Sequence, residues 1–226
     1  TEAGTVMVKD IVSGSGSSLS LQTGKHHIAA LNNKIYFVVN DGIHGEELWK
    51  SDGTEAGTVM VKDINPDSDH SNIKSLTPMG NTLYFRADDG THGAELWKTD
   101  GTTSGTVMVK DIYSGSNQGV AETNRMTAVG NTLYFIANDG TNGEELWKSD
   151  GTTSGTVMVK NINNGNNNHG SQIQHISVAG NYIYFEAQPG GGWSLWRSDG
   201  TDAGTISILA DGNRIANIGN SVTTVS

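Results

Sequence analysis

The sequence predicts an all-β fold: a β-propeller of about five blades, each a four-stranded antiparallel meander. Three observations lead there. Trp49, Trp97, Trp147 and Trp196 recur 48, 50 and 49 residues apart, within ELWKSDGT, ELWKTDGT, ELWKSDGT and SLWRSDGT. Around them, Gly-Asn and Asp-Gly pairs separate short apolar runs, and these residues tolerate the positive φ that tight hairpin turns demand. A period near 50 with four strands per unit matches a propeller blade, whereas β-helix coils are shorter and helical repeats would show a 3.6-residue period.

The second unit shows the elements in order. Its first strand lies near Ser75 to Met79, and Gly80-Asn81 turns the chain into the second, TLYFRA at 82–87. Asp89-Gly90 leads to the third strand, AELWKT at 94–99, and Asp100-Gly101 to the fourth, GTVMVKDI at 105–112. Second strands open with IYF or LYF in every unit, as expected of a strand covered on both faces. The fourth alternates Val with Met and Lys and reads as an edge. One aromatic ring buries roughly 150–250 Å², worth roughly 4–6 kcal/mol as an upper bound. A lone sheet cannot cover two such faces, so units must stack.

The ends suggest how the ring closes. TEAGTVMVKDI at 1–11 returns unchanged at 54–64, so the N-terminus reads as a fourth strand. Ile218-Gly219-Asn220 aligns with Met79-Gly80-Asn81, so the tail reads as a first and a second strand. The expectation is one domain over 1–226, with full blades at about 27–64, 75–112, 125–162 and 175–210, and a closing blade shared by 213–226 and 1–12. No segment supplies that blade's third strand. A three-stranded closing blade, a longer parent array and strand exchange between molecules all remain open. The first residue is not Met, which suggests a processed product.

A formal charge of −10 and the lack of a Lys/Arg cluster argue against nucleic acid and anionic membranes as partners. With no cysteine there is no disulfide framework and no thiolate metal site. No run approaches eighteen apolar residues, so membrane insertion by a helix is not expected.

The consensus GNxLYFxAxDGxxGxELWxSDGTxxGTxxVKDI resembles the bacterial ELWxxDGT repeat family over nearly the whole chain. The motif is carried by Glu47-Leu48-Trp49 with Asp52-Gly53-Thr54, Glu95-Leu96-Trp97 with Asp100-Gly101-Thr102, Glu145-Leu146-Trp147 with Asp150-Gly151-Thr152, and Ser194-Leu195-Trp196 with Asp199-Gly200-Thr201. The resemblance implies an exported, extracellular or cell-surface bacterial propeller. It implies no single activity.

Two sets of residues are candidates for chemistry. The SDGTxxGT turn resembles the Asp-box turn of other propellers, which makes Asp52, Asp100, Asp150 and Asp199 structural acceptors of turn amides. Calcium is the alternative cofactor, although Ca²⁺ needs six to eight oxygens and each turn offers one carboxylate. The second set lies in loops that a meander places on one rim: His26, His27, His44, His70, His92 and His169, with Asn142 and Trp193 beside them. Imidazole suits zinc, copper or nickel and titrates near neutrality. Variable Asn, Asp, Ser and Gly loops with an aromatic face suit sugar hydroxyls.

No GxSxG, HExxH, P-loop or GxGxxG motif occurs. The acids Asp67, Asp69, Glu122, Glu186 and Asp211 show no spacing that argues for a catalytic pair. The expectation is therefore a non-enzymatic extracellular binding or adhesion module for a glycan or surface protein. A self-assembling structural subunit is the alternative, because near-identical blades make pairing between molecules nearly equivalent to pairing within one. A propeller glycoside hydrolase ranks third.

Overall fold

The computed structural model describes residues 4–12, 28–122, 126–163, 170–189 and 192–210. Every named element is a strand: β1 Ile28–Leu31, β2 Lys34–Asn40, β3 Glu46–Ser51, β4 Val59–Lys62, β5 Lys74–Met79, β6 Thr82–Asp88, β7 Ala94–Thr99, β8 Val107–Lys110, β9 Thr127–Val129, β10 Thr132–Asn138, β11 Glu144–Ser149, β12 Val157–Lys160, β13 Gln174–Ala179, β14 Tyr182–Ala187, β15 Ser194–Ser198 and β16 Ile206–Ala210. They form four sheets of four strands, each in sequence order and antiparallel throughout. This is the expected meander. Among the described residues no helix is long and apolar enough to cross a membrane.

Each sheet is held by a repeated cross-strand pair. Phe37 faces Trp49, Phe85 faces Trp97, Phe135 faces Trp147 and Phe185 faces Trp196. In the fourth pair the rings stack with centroids 6.5 Å apart and planes 15° from parallel. The second strands are deep, with Leu83, Phe85, Ala87, Leu133, Phe135 and Ala137 fully buried. On the fourth strands a bulge opposite the Leu-Trp step leaves one extra residue, Val61 facing the step Leu48/Trp49. The same shift recurs at Leu96/Trp97, Leu146/Trp147 and Leu195/Trp196. A bulge of this kind bends the strand and re-aims its side chain. Val61, Val109 and Val159 are thereby buried.

The chain divides into two compact units, Thr1–Gln118 and Gly119–Ser226. In the first, one apolar cluster runs from Tyr36, Val38, Leu48, Val61 and Ile64 of the first sheet to Leu76, Leu83, Phe85 and Trp97 of the second. Polar bonds sew the same two sheets together. Lys50 Nζ donates to Gly101 O (2.7 Å), Lys62 Nζ to Thr106 O (3.0 Å), and Thr103 Oγ1 to Val61 O (2.8 Å). Lys62 Nζ also lies 5.5 Å from the Trp97 ring centroid. Gly101 does two things here: it takes φ +92°, and a Cβ on it would collide with Tyr36 Oη.

The second unit repeats this design. Tyr134, Ile136, Leu146, Val159 and Ile162 pack with Ile173, Ile183, Phe185 and Trp196. Lys148 Nζ donates to Gly200 O (2.8 Å) and Lys160 Nζ to Asp202 O (2.9 Å). Gly200, at φ +85°, makes room for Tyr134 Oη.

The terminal expectations fare differently. Residues 5–12 carry no strand, because a strand exists only with a ladder partner and none is paired there. The segment nevertheless touches the first sheet: Lys9 Nζ donates to Thr58 O (2.8 Å), and Ile11 packs on Phe37, Val39 and Trp49. The tail segment 213–226 lies outside the described residues.

Candidate functional site

The turn after each third strand is an internally saturated hydrogen-bond unit. Asp100 Oδ1 accepts from Thr102 N (2.8 Å) and Thr102 Oγ1 (2.7 Å). Thr102 Oγ1 in turn accepts from Gly105 N (2.9 Å), and Thr106 Oγ1 donates to Thr102 O (2.6 Å). A Cβ on Gly105 would overlap the Asp100 carboxylate, so only glycine fits. Asp52, Asp150 and Asp199 accept from Thr54, Thr152 and Thr201 in the same way. The Thr hydroxyl and amide bonds hold the Asp52, Asp100 and Asp199 carboxyls below their ordinary value. For calcium each turn offers one carboxylate whose Oδ1 is already taken by two donors. Among the described residues no group of three His, Asp or Glu is arranged to hold a metal ion.

The rim residues are built on a second recurring turn. Asp41 Oδ1 accepts from Ile43 N (2.9 Å) and His44 N (2.8 Å), while Oδ2 pairs with His44 Nδ1 at 2.7 Å. Asp89 repeats this with Thr91, His92 N and His92 Nδ1 at 2.9, 2.8 and 2.8 Å. Asn142 takes the place of histidine in the third blade, its N and Nδ2 donating to Asp139 at 2.8 and 2.7 Å. His44, His92 and Asn142 thus stand at one structural position. Burial alone would raise the Asp41 and Asp89 carboxyls, but bonds from the following histidine outweigh it and hold both low. His44 and His92 are raised in return, chiefly by the bond to that carboxylate.

The exchange of His for Asn is matched elsewhere. Asp63 adds to the field on His44 and Asp111 to that on His92. At the corresponding position of the third blade stands Asn161, whose Nδ2 donates to Asn142 Oδ1 at 2.7 Å. A charged pair in two blades is an amide pair in the third.

The crossing loops pack on these turns. A Cβ on Gly45 would overlap Asp69 O, and one on Gly93 would overlap Asn117 O. His70 Nδ1 accepts from Glu46 N (3.0 Å), so its 3.9 Å approach to Glu46 Oε2 is no ion pair while that lone pair is engaged. His70 is exposed at the rim. Trp193 is half-buried. His26, His27 and His169 lie outside the described residues.

The acids of the Trp motif were the residues that sequence reasoning missed. Sequence reading placed most acids in turns; Glu47, Glu95 and Glu145 instead lie within strands and are fully buried. Glu47 accepts from Ile64 N (3.0 Å), Asn65 N (3.2 Å) and the Ser71 hydroxyl. Glu145 accepts from Ile162 N, Asn163 N (both 3.2 Å) and Ser171 Oγ (2.6 Å). Glu95 holds Ile112 N (3.0 Å) and Tyr113 N (3.1 Å). Burial pushes the Glu47 carboxyl up to about 7, against the hydrogen bonds that lower it, and raises Glu145 as well. Each acid anchors the start of a crossing loop. The available signal was its phase, since an acid two residues before a buried Trp shares that ring's face of the strand.

One inward position also varies between blades: Val38, Arg86, Ile136 and Glu186. Arg86 is buried, with Nη1 on Asn72 O (3.2 Å) and Nη2 on Gln118 Oε1 (2.9 Å). Glu186, for which the sequence showed no partner, pairs with His175 Nδ1 at 2.9 Å.

No family model matches this chain, and no curated protein sequence matches it. Solved structures do. A puromycin-hydrolyzing peptidase from Mycobacterium tuberculosis is 13% identical, with 93% of this chain and 31% of that one covered at a TM-score of 0.52. Oligopeptidase B from Leishmania major is 15% identical over 84% of this chain and 27% of its own, at 0.50. TolB from Acinetobacter baumannii, a β-propeller protein, is 14% identical over 78% and 40%, at 0.47. The chain spans about a third or less of the two hydrolases. At these identities the likeness is one of fold: four antiparallel four-stranded sheets in a β-propeller-like chain.

Proposed function

We propose that this protein is an ELWxxDGT-repeat propeller that works outside the bacterial cell as a non-enzymatic binding or adhesion module. Its ligand is a glycan or a surface protein held on the loop rim. One observation carries the reading. The Asp, Thr, Gly and Glu side chains that recur in every full motif are spent on bonds within the blades. What differs between blades and reaches solvent is the set of crossing loops and the turn that bears His44, His92 or Asn142.

The same reading includes a fifth, closing blade shared by 1–12 and 213–226. It is supported by the seat of Lys9 and Ile11 on the first sheet. It is supported also by Ile208, 43% exposed at the bulge position where Val61 and Val159 are buried. An apolar side chain left open at an otherwise covered position calls for a further sheet.

A glycan array and a surface-protein pull-down test the binding role. Retention of one ligand class, lost on exchanging the 65–72 loop for a Gly-Ser linker, is the expected result. No retention across broad panels, or turnover of a polysaccharide, overturns it.

A further inference from the structure

Residues 5–11 read TVMVKDI, identical to 58–64. In 58–64 these letters form the outer strand of the first sheet, with Met60 facing Trp49, Val59 facing Lys50 and Lys62 facing Leu48. The same TVMVK letters do so again in β8 and β12, where Met108 faces Trp97 and Met158 faces Trp147. In 5–11 nothing plays the part of that Trp strand. Val6 is 76% and Met7 78% exposed, against 37% for Val59.

The segment is nonetheless seated as an outer strand should be. Lys62 of the first sheet donates to Thr106 O of the second, and Lys9 donates to Thr58 O of the first, which is the equivalent atom one unit earlier. Ile64 packs with Phe85, Ala87 and Trp97; Ile11 packs with Phe37, Val39 and Trp49, the same three positions. The contacts to the following blade are therefore in place while the contacts to its own sheet are missing.

We propose that residues 5–11 are a preplaced outer strand with an open edge, which accepts by strand addition a Trp-bearing ELWK(S/T)DG strand from a separate repeat unit. The occupant follows from the register. Three copies of this strand pair with ELWK, and Met7 awaits the ring that Met60, Met108 and Met158 already face. All four Trp motifs of the chain are spent in β3, β7, β11 and β15, so the partner strand must come from elsewhere. Main-chain bonds give such additions their affinity, and alternate side chains their specificity. The inference stands on the placement of 5–11 and is independent of any ligand on the loop rim.

The test uses the full chain with methyl-labelled methionine and the peptide GEELWKSDG, the sequence of residues 45–53. Its six methionines give separate signals, and Met60, Met108 and Met158 serve as references already in contact with Trp. The expected result is a selective ring-current shift of the Met7 methyl, with at least tenfold weaker binding of GEELAKSDG. A Met7 signal unmoved at millimolar peptide overturns the proposal. Equal shifts with both peptides overturn recognition of the Trp. A Met7 signal that moves on simple dilution of the protein assigns the edge to a second copy and overturns a separate unit as partner.

Discussion

Glu47 offers the sharpest test of how the blades are joined. Its carboxyl is fully buried at the start of the crossing loop and raised from 4.5 to about 7 by desolvation. A carboxyl with a raised value in the fold binds its proton more tightly there than in the unfolded chain. Its contribution to stability is whole below 4.5 and is lost as pH rises through 7. Each bound proton is worth about 1.4 kcal/mol per pH unit, so a shift of this size removes about 3 kcal/mol between those limits. Glu47→Gln cannot titrate and lacks that slope. It is destabilised at low pH, because its amide group faces donors that a carboxyl oxygen accepted, and the gap to the parent chain closes as pH rises. Urea unfolding followed by Trp fluorescence at several pH values between 4.5 and 8 measures both lines. A stability difference that stays constant with pH refutes burial as the force acting on this carboxyl.

Three further outcomes follow from the same geometry. Gly105→Ala places a methyl into the Asp100 carboxylate and costs about 1–3 kcal/mol through the bonds it breaks; in an Asp100→Ala background the cost falls, as a double-mutant cycle of thermal unfolding will read. Phe85→Ala, at a fully buried site facing Trp97, costs about 3–5 kcal/mol in chemical denaturation. His92 is raised by its bond to Asp89, so its stabilising contribution is present below 6.5 and fades as pH climbs through its folded value. Asp89→Asn returns the His92 midpoint toward 6.5 in an NMR titration, and Asp111→Asn moves it less.

How much of this was legible beforehand differs between elements. The turns were readable because their chemistry is local: Asp100, Thr102 and Gly105 are within six residues of one another, and their bonds follow from that spacing. The rim was half legible. A meander places the 41–45 turn and the 65–72 loop on one side, but that His44 is tied to Asp41 by its own Nδ1, and that Asn142 and Asn161 change together, needed coordinates. Glu47 was not legible as a buried hub, because its partners Ile64, Asn65 and Ser71 come from 17 to 24 residues away.

The sequence by itself determined the period, the four strands of each unit and the aromatic pair within each sheet, since hairpin turns and alternating side chains act over a few residues. Tertiary structure alone decided which polar groups lose water. Stacking puts Glu47 and Glu145 out of solvent, sets Gly101 against a tyrosine of the neighbouring sheet, and leaves TVMVKDI paired at 58–64 yet open at 5–11. Identical letters met different surroundings, and burial is a property of surroundings.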